Sequence, residues 1–115
     1  MALSISIGTT KFVFASAHLA AHQNAVKRRN AEYNKLRVEL PALLAKKETK
    51  IVSDSPSLET CADRVVFMGD LNYRVRGNRD AVDQLLRSDM HDVMLANDQL
   101  MWSMRSGLVL TGFTG

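Results

Sequence analysis

The hydrophobic period of the chain changes at His18, and that change constrains the fold more than any other feature. Leu3, Ile5 and Ile7 alternate with Ser4 and Ser6, the period-2 signature of a half-buried strand. Gly8, Thr9 and Thr10 supply a turn, and Lys11 to Ala17 follows as a second, more continuously apolar strand. The two read as a β-hairpin. Beyond His18 the spacing turns helical: Val26, Tyr33, Leu36, Leu40, Leu43 and Leu44 share a face, while Lys27, Arg28, Lys35 and Glu39 fall largely elsewhere. A helix from about Asn24 to about Lys46 is expected, and Pro41 should kink it or end it early, because proline lacks the N–H donor.

The same reading continues downstream. Residues 47–62 are polar and rich in Ser, Thr and Glu, the composition of a mobile surface loop. Arg64 to Met68 is a short strand apolar on both faces, as in a covered central strand. Gly69 to Arg74 breaks it, and Asn78 caps a helix through Val82, Leu85 and Leu86. A further helical stretch is expected over roughly Met90 to Met104, ended by Gly107. Its Met90, Met94, Met101, Met104 and Trp102 are expected to be core or packing residues, and Leu108-Val109-Leu110 to open another strand. Strands alternating with helices imply an α/β layered sheet. At 115 residues and 12.8 kDa this is one domain at most, with no internal repeat.

Composition removes several classes. A hydrophobic fraction of 46% and a charged fraction of 23% exclude wholesale disorder. The single Cys61 excludes an internally stapled scaffold and favours a reducing, cytoplasmic setting. No apolar run approaches the roughly 18 residues of a membrane span. The Phe12–Ala17 run reads better as a strand than as a signal peptide. Charge is uneven: residues 1–50 carry nine Lys and Arg against three Asp and Glu, and 51–115 carry six against nine. Such a basic half suits an anionic partner or simply a solvated helix face, and composition alone favours the latter.

Two places could carry chemistry. His18 stands where a strand gives way to a helix, a position at which α/β sheets display functional side chains. His22 follows four residues later, but only a helix would bring the pair onto one face, the region straddles a strand end, and no Glu follows His18 as in a metalloprotease motif. After Gly69, Asp70 and Asn72 are polar residues one apart at a strand end. Such an acid can act as general base for a water, and such an amide can hold an anionic oxygen. Spacing alone favours the plainer alternative, an Asx turn in which Asp70 caps its own backbone. Lys27, Arg28 and Arg29 could clamp a phosphate, and Arg74, Arg76 and Arg79 form a second basic cluster.

Taken together, the motifs resemble the inositol polyphosphate 5-phosphatase family. The resemblance rests on Phe14 to His22, on Arg28-Arg29-Asn30-Ala31-Glu32-Tyr33, and on Val66-Phe67-Met68-Gly69-Asp70-Leu71-Asn72-Tyr73-Arg74, with Phe67 where a Trp is usual. Asp98-Gln99-Leu100 and Gly112-Phe113-Thr114-Gly115 match in order. It covers nearly the whole chain except 47–62. Gly-Asp-x-Asn alone would indicate only the wider endonuclease/exonuclease/phosphatase superfamily.

The resemblance implies a two-sheet β-sandwich wrapped by helices. The expected fold class is therefore α/β (α+β), a partial four-layered β-sandwich with flanking helices, with residues 1–115 as a partial catalytic domain. It implies Mg²⁺-dependent hydrolysis of the 5-phosphate of phosphoinositides or soluble inositol phosphates. His18 resembles the histidine that stabilises the scissile phosphate, Asp70 the acid that orients or deprotonates water, and Asn72 the amide that contacts the phosphate. Arg29 and Asn30 match a motif near the site, and His22 and Arg74 are further substrate-binding candidates. No metal ligand is expected within the chain, because the family's Glu ligand lies upstream of the matched region. Its second signature and Asp-His pair would follow Gly115, so the chain alone is expected to be inactive. Peripheral contact with an anionic membrane is expected, and a nucleic acid partner is not. The alternative is a catalytically inactive remnant that binds anionic membrane or a partner through its basic helix.

Overall fold

The computed structural model describes residues 1–45 and 57–114. β1 (Ala2–Ile7) and β2 (Thr10–His18) form the expected antiparallel hairpin, turned at Gly8, whose φ of 60° suits a residue without Cβ. α1 (Val26–Ala45) follows, and β3 (Arg64–Asp70) then pairs with β2 in parallel, giving a three-stranded sheet in the order β1-β2-β3. A parallel neighbour demands a crossover, and the chain that includes α1 provides it. Three short helices complete the element order: α2 (Arg79–Arg87), α3 (His91–Ala96) and α4 (Gln99–Arg105).

One face of the sheet is covered. Val13 and Ala15 are fully buried, and Ala2, Val65 and Phe67 pack beside them against Leu36, Leu40 and Leu44 of α1. Each such aliphatic side chain gives about 1.5–3 kcal/mol when fully buried. A second cluster joins Tyr33, Val109 and Leu110, with Phe67 bridging the two through edge-on contacts to Tyr33 (5.4 Å between centroids) and Phe113 (6.5 Å). Among the described residues nothing packs over the other face. Leu3, Ile5 and Ile7 stand opposite Phe14, Phe12 and Thr10, and Val66 and Met68 extend the same surface, 42% and 46% exposed.

Several expectations are corrected. Pro41 neither ends nor shortens α1, which runs on to Ala45 with Pro41 buried, since packing of Leu40 and Leu44 on the sheet offsets the missing donor. β3 is an edge strand of this sheet with one apolar face exposed, not a covered central strand. The stretch expected as one helix from Met90 is two, broken at Asn97–Asp98, because the Asp98 carboxylate caps the N–H of Met101 at 2.7 Å. Met90, Met101 and Trp102 are exposed rather than core, and Trp102 carries the Arg76 guanidinium over its ring at 4.8 Å. Leu108–Leu110 forms no strand: Leu110 has a φ of 50°, incompatible with a ladder, and packs inward instead.

The expected mobile loop at 47–62 lies outside the described residues as far as 56. From Ser57 onward it is ordered around a 3-10 turn, Leu58–Thr60. Leu58 is fully buried, and the Glu59 carboxylate accepts from Tyr33 Oη at 2.8 Å and from Arg37 Nε at 2.7 Å. An apolar residue with an acid beside it on a polar background was the available sign. Among the described residues, no helix is long and apolar enough to cross a membrane.

Candidate active site

Strand pairing builds the centre of the site. The parallel register sets His18 opposite Asp70, the last residue of each strand, and Leu19 N–H donates to the Asp70 carbonyl at 2.9 Å beyond them. His18 and Asp70 therefore emerge side by side on the bare face, with Nε2 and Oδ2 3.7 Å apart and both side chains largely in solvent. Gly69 makes this possible. Its φ is 124°, and a Cβ there would lie 2.0 Å from the Ala17 carbonyl oxygen. The strands can approach at this point only because residue 69 has no side chain.

Asn72 is fixed next to the pair. Its backbone is left-handed, φ 56°, which costs a non-glycine residue about 1 kcal/mol or more. Three contacts oppose that cost. Asn72 N–H donates to Asp70 Oδ1 at 3.1 Å, its Nδ2 donates to the Leu19 carbonyl at 3.0 Å, and its Oδ1 accepts from Arg74 at 2.7 Å. The Asx turn and the chemical reading of Asp70 are thus compatible. One carboxylate oxygen holds the turn and the other faces His18 and solvent. An amide nitrogen carries two protons, so Asn72 retains one N–H for a ligand. Arg74 is exposed, and its Nε also donates to the Asn72 carbonyl at 3.3 Å.

The remaining sequence candidates divide. Arg29 is fully buried behind the site and donates to the Ala20 carbonyl at 3.0 Å, the His22 carbonyl at 2.7 Å and Gln99 Oε1 at 2.6 Å. Its guanidinium lies 5.0 Å from the Tyr73 ring centroid, whose hydroxyl donates to Asn30 Oδ1 at 2.6 Å. Burial pushes the Tyr73 phenol up to about 12, although Arg29 draws it the other way. Asn30 thus orients Tyr73 and lies behind His18–Asp70–Asn72. His22 sits on the surface with a φ of 80°, and what the structure uses of it is the carbonyl that Arg29 binds. Arg28 pairs with Glu32 at 2.9 Å, and Glu32 also accepts from the Ala20 N–H, the main cause of its lowered pKa.

Sequence reasoning placed Gln99 only within the Asp98-Gln99-Leu100 match and not at the site. It is 3% exposed and accepts from Arg29, and its place in that match, directly after a capping Asp, was the signal available. No group of three or more His, Cys, Asp or Glu side chains converges as a metal ion would require among the described residues. Asp70 is a hard oxygen donor of the type that suits a divalent cation, but by itself it is not a metal centre. The residues present do not fit a complete metal site.

A carboxylate, an imidazole and an amide thus stand together at the ends of two parallel strands, with the exposed Arg74 beside them, in an α/β fold. The family model for Endonuclease/Exonuclease/phosphatase family 2 matches residues 1–115, and the chain belongs to that family. It is 30% identical over 115 residues to type IV inositol polyphosphate 5-phosphatase 11 of Arabidopsis thaliana, covering 99% of this chain and 30% of that protein. It is 29% identical over 113 residues to synaptojanin-1 of Homo sapiens, covering 98% of this chain and 6% of that protein. Among solved structures, the inositol polyphosphate 5-phosphatase domain of SPsynaptojanin, in complex with inositol (1,4)-bisphosphate and calcium ion, superposes with a TM-score of 0.78 at 23% identity. That match covers 98% of this chain and 30% of that domain's chain. The resemblance read from the motifs is borne out, as is the mixed α/β fold of the endonuclease/exonuclease/phosphatase type. The chain spans under a third of the length of these relatives.

Proposed function

We propose that residues 1–115 form part of the catalytic domain of a phosphatase that removes the 5-phosphate from phosphoinositides or soluble inositol polyphosphates, with Mg²⁺ as its metal. The observation that carries this is the juxtaposition of His18 and Asp70 at 3.7 Å, with Asn72 and Arg74 locked beside them. Asp70 Oδ2 orients the attacking water and takes its proton. Water oxygen bonds to phosphorus as the phosphorus–inositol oxygen bond breaks; the leaving oxygen takes a proton from solvent and Asp70 returns its own to solvent, yielding inorganic phosphate and an inositol hydroxyl. His18, the free N–H of Asn72 and Arg74 donate to the phosphoryl oxygens, where charge accumulates. Arg29, Asn30 and Tyr73 support the loops that carry these groups, and His22 lines the approach for a further phosphate. A divalent ion would neutralise phosphoryl charge, and Asp70 is the hard oxygen donor at this site that would suit it. The reading places the protein in the cytoplasm, with peripheral contact at anionic membranes.

An inactive membrane-binding remnant would need free cations on the basic helix. Arg28 pairs with Glu32, Lys35 with Glu39 and Arg37 with Glu59, while Arg29 is buried. Lys27 stands exposed outside these pairs, so the pairings reduce the free positive charge of the helix without abolishing it.

The test is phosphate release from a 5-phosphorylated inositol lipid, by this chain and by a chimera in which it replaces the matching segment of the Arabidopsis 5-phosphatase 11. The chain alone is expected to be silent and the chimera to turn over with Mg²⁺. Asp70→Ala in the chimera should lower the rate about 100-fold or more. A folded chimera no more active than its Asp70→Ala form would overturn the proposal.

A further inference from the structure

Asn72 and Arg74, placed at phosphate, and His22 belong to the two loops that follow the strands of His18 and Asp70, 19–25 after β2 and 71–78 after β3, neither of which is helix or strand. At their near ends the loops are joined by Asn72 Nδ2 on the Leu19 carbonyl. Farther out, Gln23 Nε2 joins them directly by donating to the Val75 carbonyl at 2.7 Å, and one buried amide joins them again beside Arg29. Gln99 Oε1 accepts both from Arg29 at 2.6 Å and from the Arg74 backbone N–H at 3.1 Å, while Gln99 Nε2 donates to the Gln23 carbonyl at 2.9 Å. Arg29 then spends its other terminal nitrogen on the carbonyls of Ala20 and His22. Both side chains are buried, 0% and 3% exposed, where a planar amide and a planar guanidinium have little freedom to re-aim.

The two left-handed, non-glycine positions of these loops, His22 and Asn72, lie on the two sides of this link. Such backbone persists only where its surroundings over-determine it. On the His22 side the restraint is Arg29; on the Asn72 side it is the Arg74 side chain, whose own backbone N–H is held by Gln99. Gln99 is itself anchored, because its N–H donates to the Arg74 carbonyl at 3.0 Å and Asp98 caps its helix.

We propose that Gln99, backed by Arg29, is a positioning residue that sets the spacing between the His22 loop and the Asn72–Arg74 loop. It thereby aligns the donors that meet phosphate, without touching phosphate itself. The second clause rests on the phosphatase reading; the first does not.

Two variants separate the links. Gln99→Leu removes acceptor and donor together, whereas Gln99→Glu keeps an acceptor for Arg29 and Arg74 and loses the donor to Gln23. Amide hydrogen exchange on the 115-residue chain should show the Arg74 N–H exchanging about tenfold faster in Gln99→Leu and nearly unchanged in Gln99→Glu. In Gln99→Glu the Ala25 N–H, held on the His22 carbonyl at 3.3 Å, should exchange faster instead. Inorganic phosphate, titrated while the amide signals of Asn72 and Arg74 are followed, should bind about fivefold more weakly to Gln99→Leu than to the other two. Equal Arg74 exchange in all three proteins, or identical behaviour of the two variants, would overturn the positioning role. Absence of phosphate binding by the unsubstituted chain would count against the phosphatase reading, with the exchange results still deciding the role of Gln99. Should Gln99→Leu not fold, the split between Arg74 and Ala25 in Gln99→Glu decides it alone.

Discussion

Gly69 and Glu59 show how single residues set the site and its support. A methyl group at Gly69 would meet the Ala17 carbonyl at 2.0 Å, on a φ of 124° that other residues avoid. Neither the clash nor the backbone can relax without parting β2 from β3 where His18 and Asp70 emerge. Gly69→Ala should therefore cost about 2–4 kcal/mol by thermal or denaturant melts, and a variant that melts like the parent would refute the close approach. Glu59 supports α1 from the opposite side. Burial alone would raise its pKa, but hydrogen bonds from Ser57, its own backbone, Tyr33 and Arg37 outweigh this and hold it below the ordinary glutamate value. A depressed folded pKa stabilises above the unfolded value and is lost as pH falls through the folded one. Glu59→Gln should thus lower the melting temperature at pH 7, with the difference closing as pH drops below about 4.5. A pH-independent difference would contradict this. The convergence of His18, Asp70, Asn72 and Arg74 was legible because motif and strand end coincide. The inward turn of Arg29 was not, because a basic triplet reads as surface until its loop carbonyls are known.

Elements were legible where a local rule decided them. Alternation fixed the β1–β2 hairpin, and Asn78 caps α2 as its position demanded, accepting the Ala81 N–H at 2.8 Å. Asn78→Ala should cost about 1 kcal/mol in a denaturant melt and leave the His18–Asp70 region unperturbed; an unchanged melt would deny the cap. Elements decided by distant contacts were not legible. Pro41 stays helical because α1 is packed on the sheet, and Leu108–Leu110 fails as a strand because its side chains are drawn into the Tyr33 cluster. The break before Asp98 carried a local sign, a capping residue, which the helical spacing of the methionines outweighed. That break is also what delivers Gln99 to Arg74.

For the whole molecule, the consequence lies in the sheet's uncovered face. Leu3, Ile5, Ile7, Val66 and Met68 are 57%, 41%, 66%, 42% and 46% exposed, and Phe12 and Phe14 stack among them at 6.5 Å. Contiguous apolar surface of this kind is rarely left in water. The isolated chain should bind a hydrophobic dye, and Ile5→Ser with Val66→Thr should reduce that signal several-fold while retaining the far-ultraviolet spectrum. No dye binding would contradict an open face. The site borders this surface, since His18 and Asp70 emerge from the same face as Phe14 and Val66. The expected class, a partial sandwich, was legible from the motifs; which face lies bare needed the register.

The most direct measurement is the product formed by the chimera from an inositol phosphate carrying a 5-phosphate, beside the same compound without it. The account predicts Mg²⁺-dependent release of the 5-phosphate alone, lost in both His18→Ala and Asp70→Ala. Release from the compound lacking the 5-phosphate at an equal rate, or turnover that survives either substitution, would contradict it.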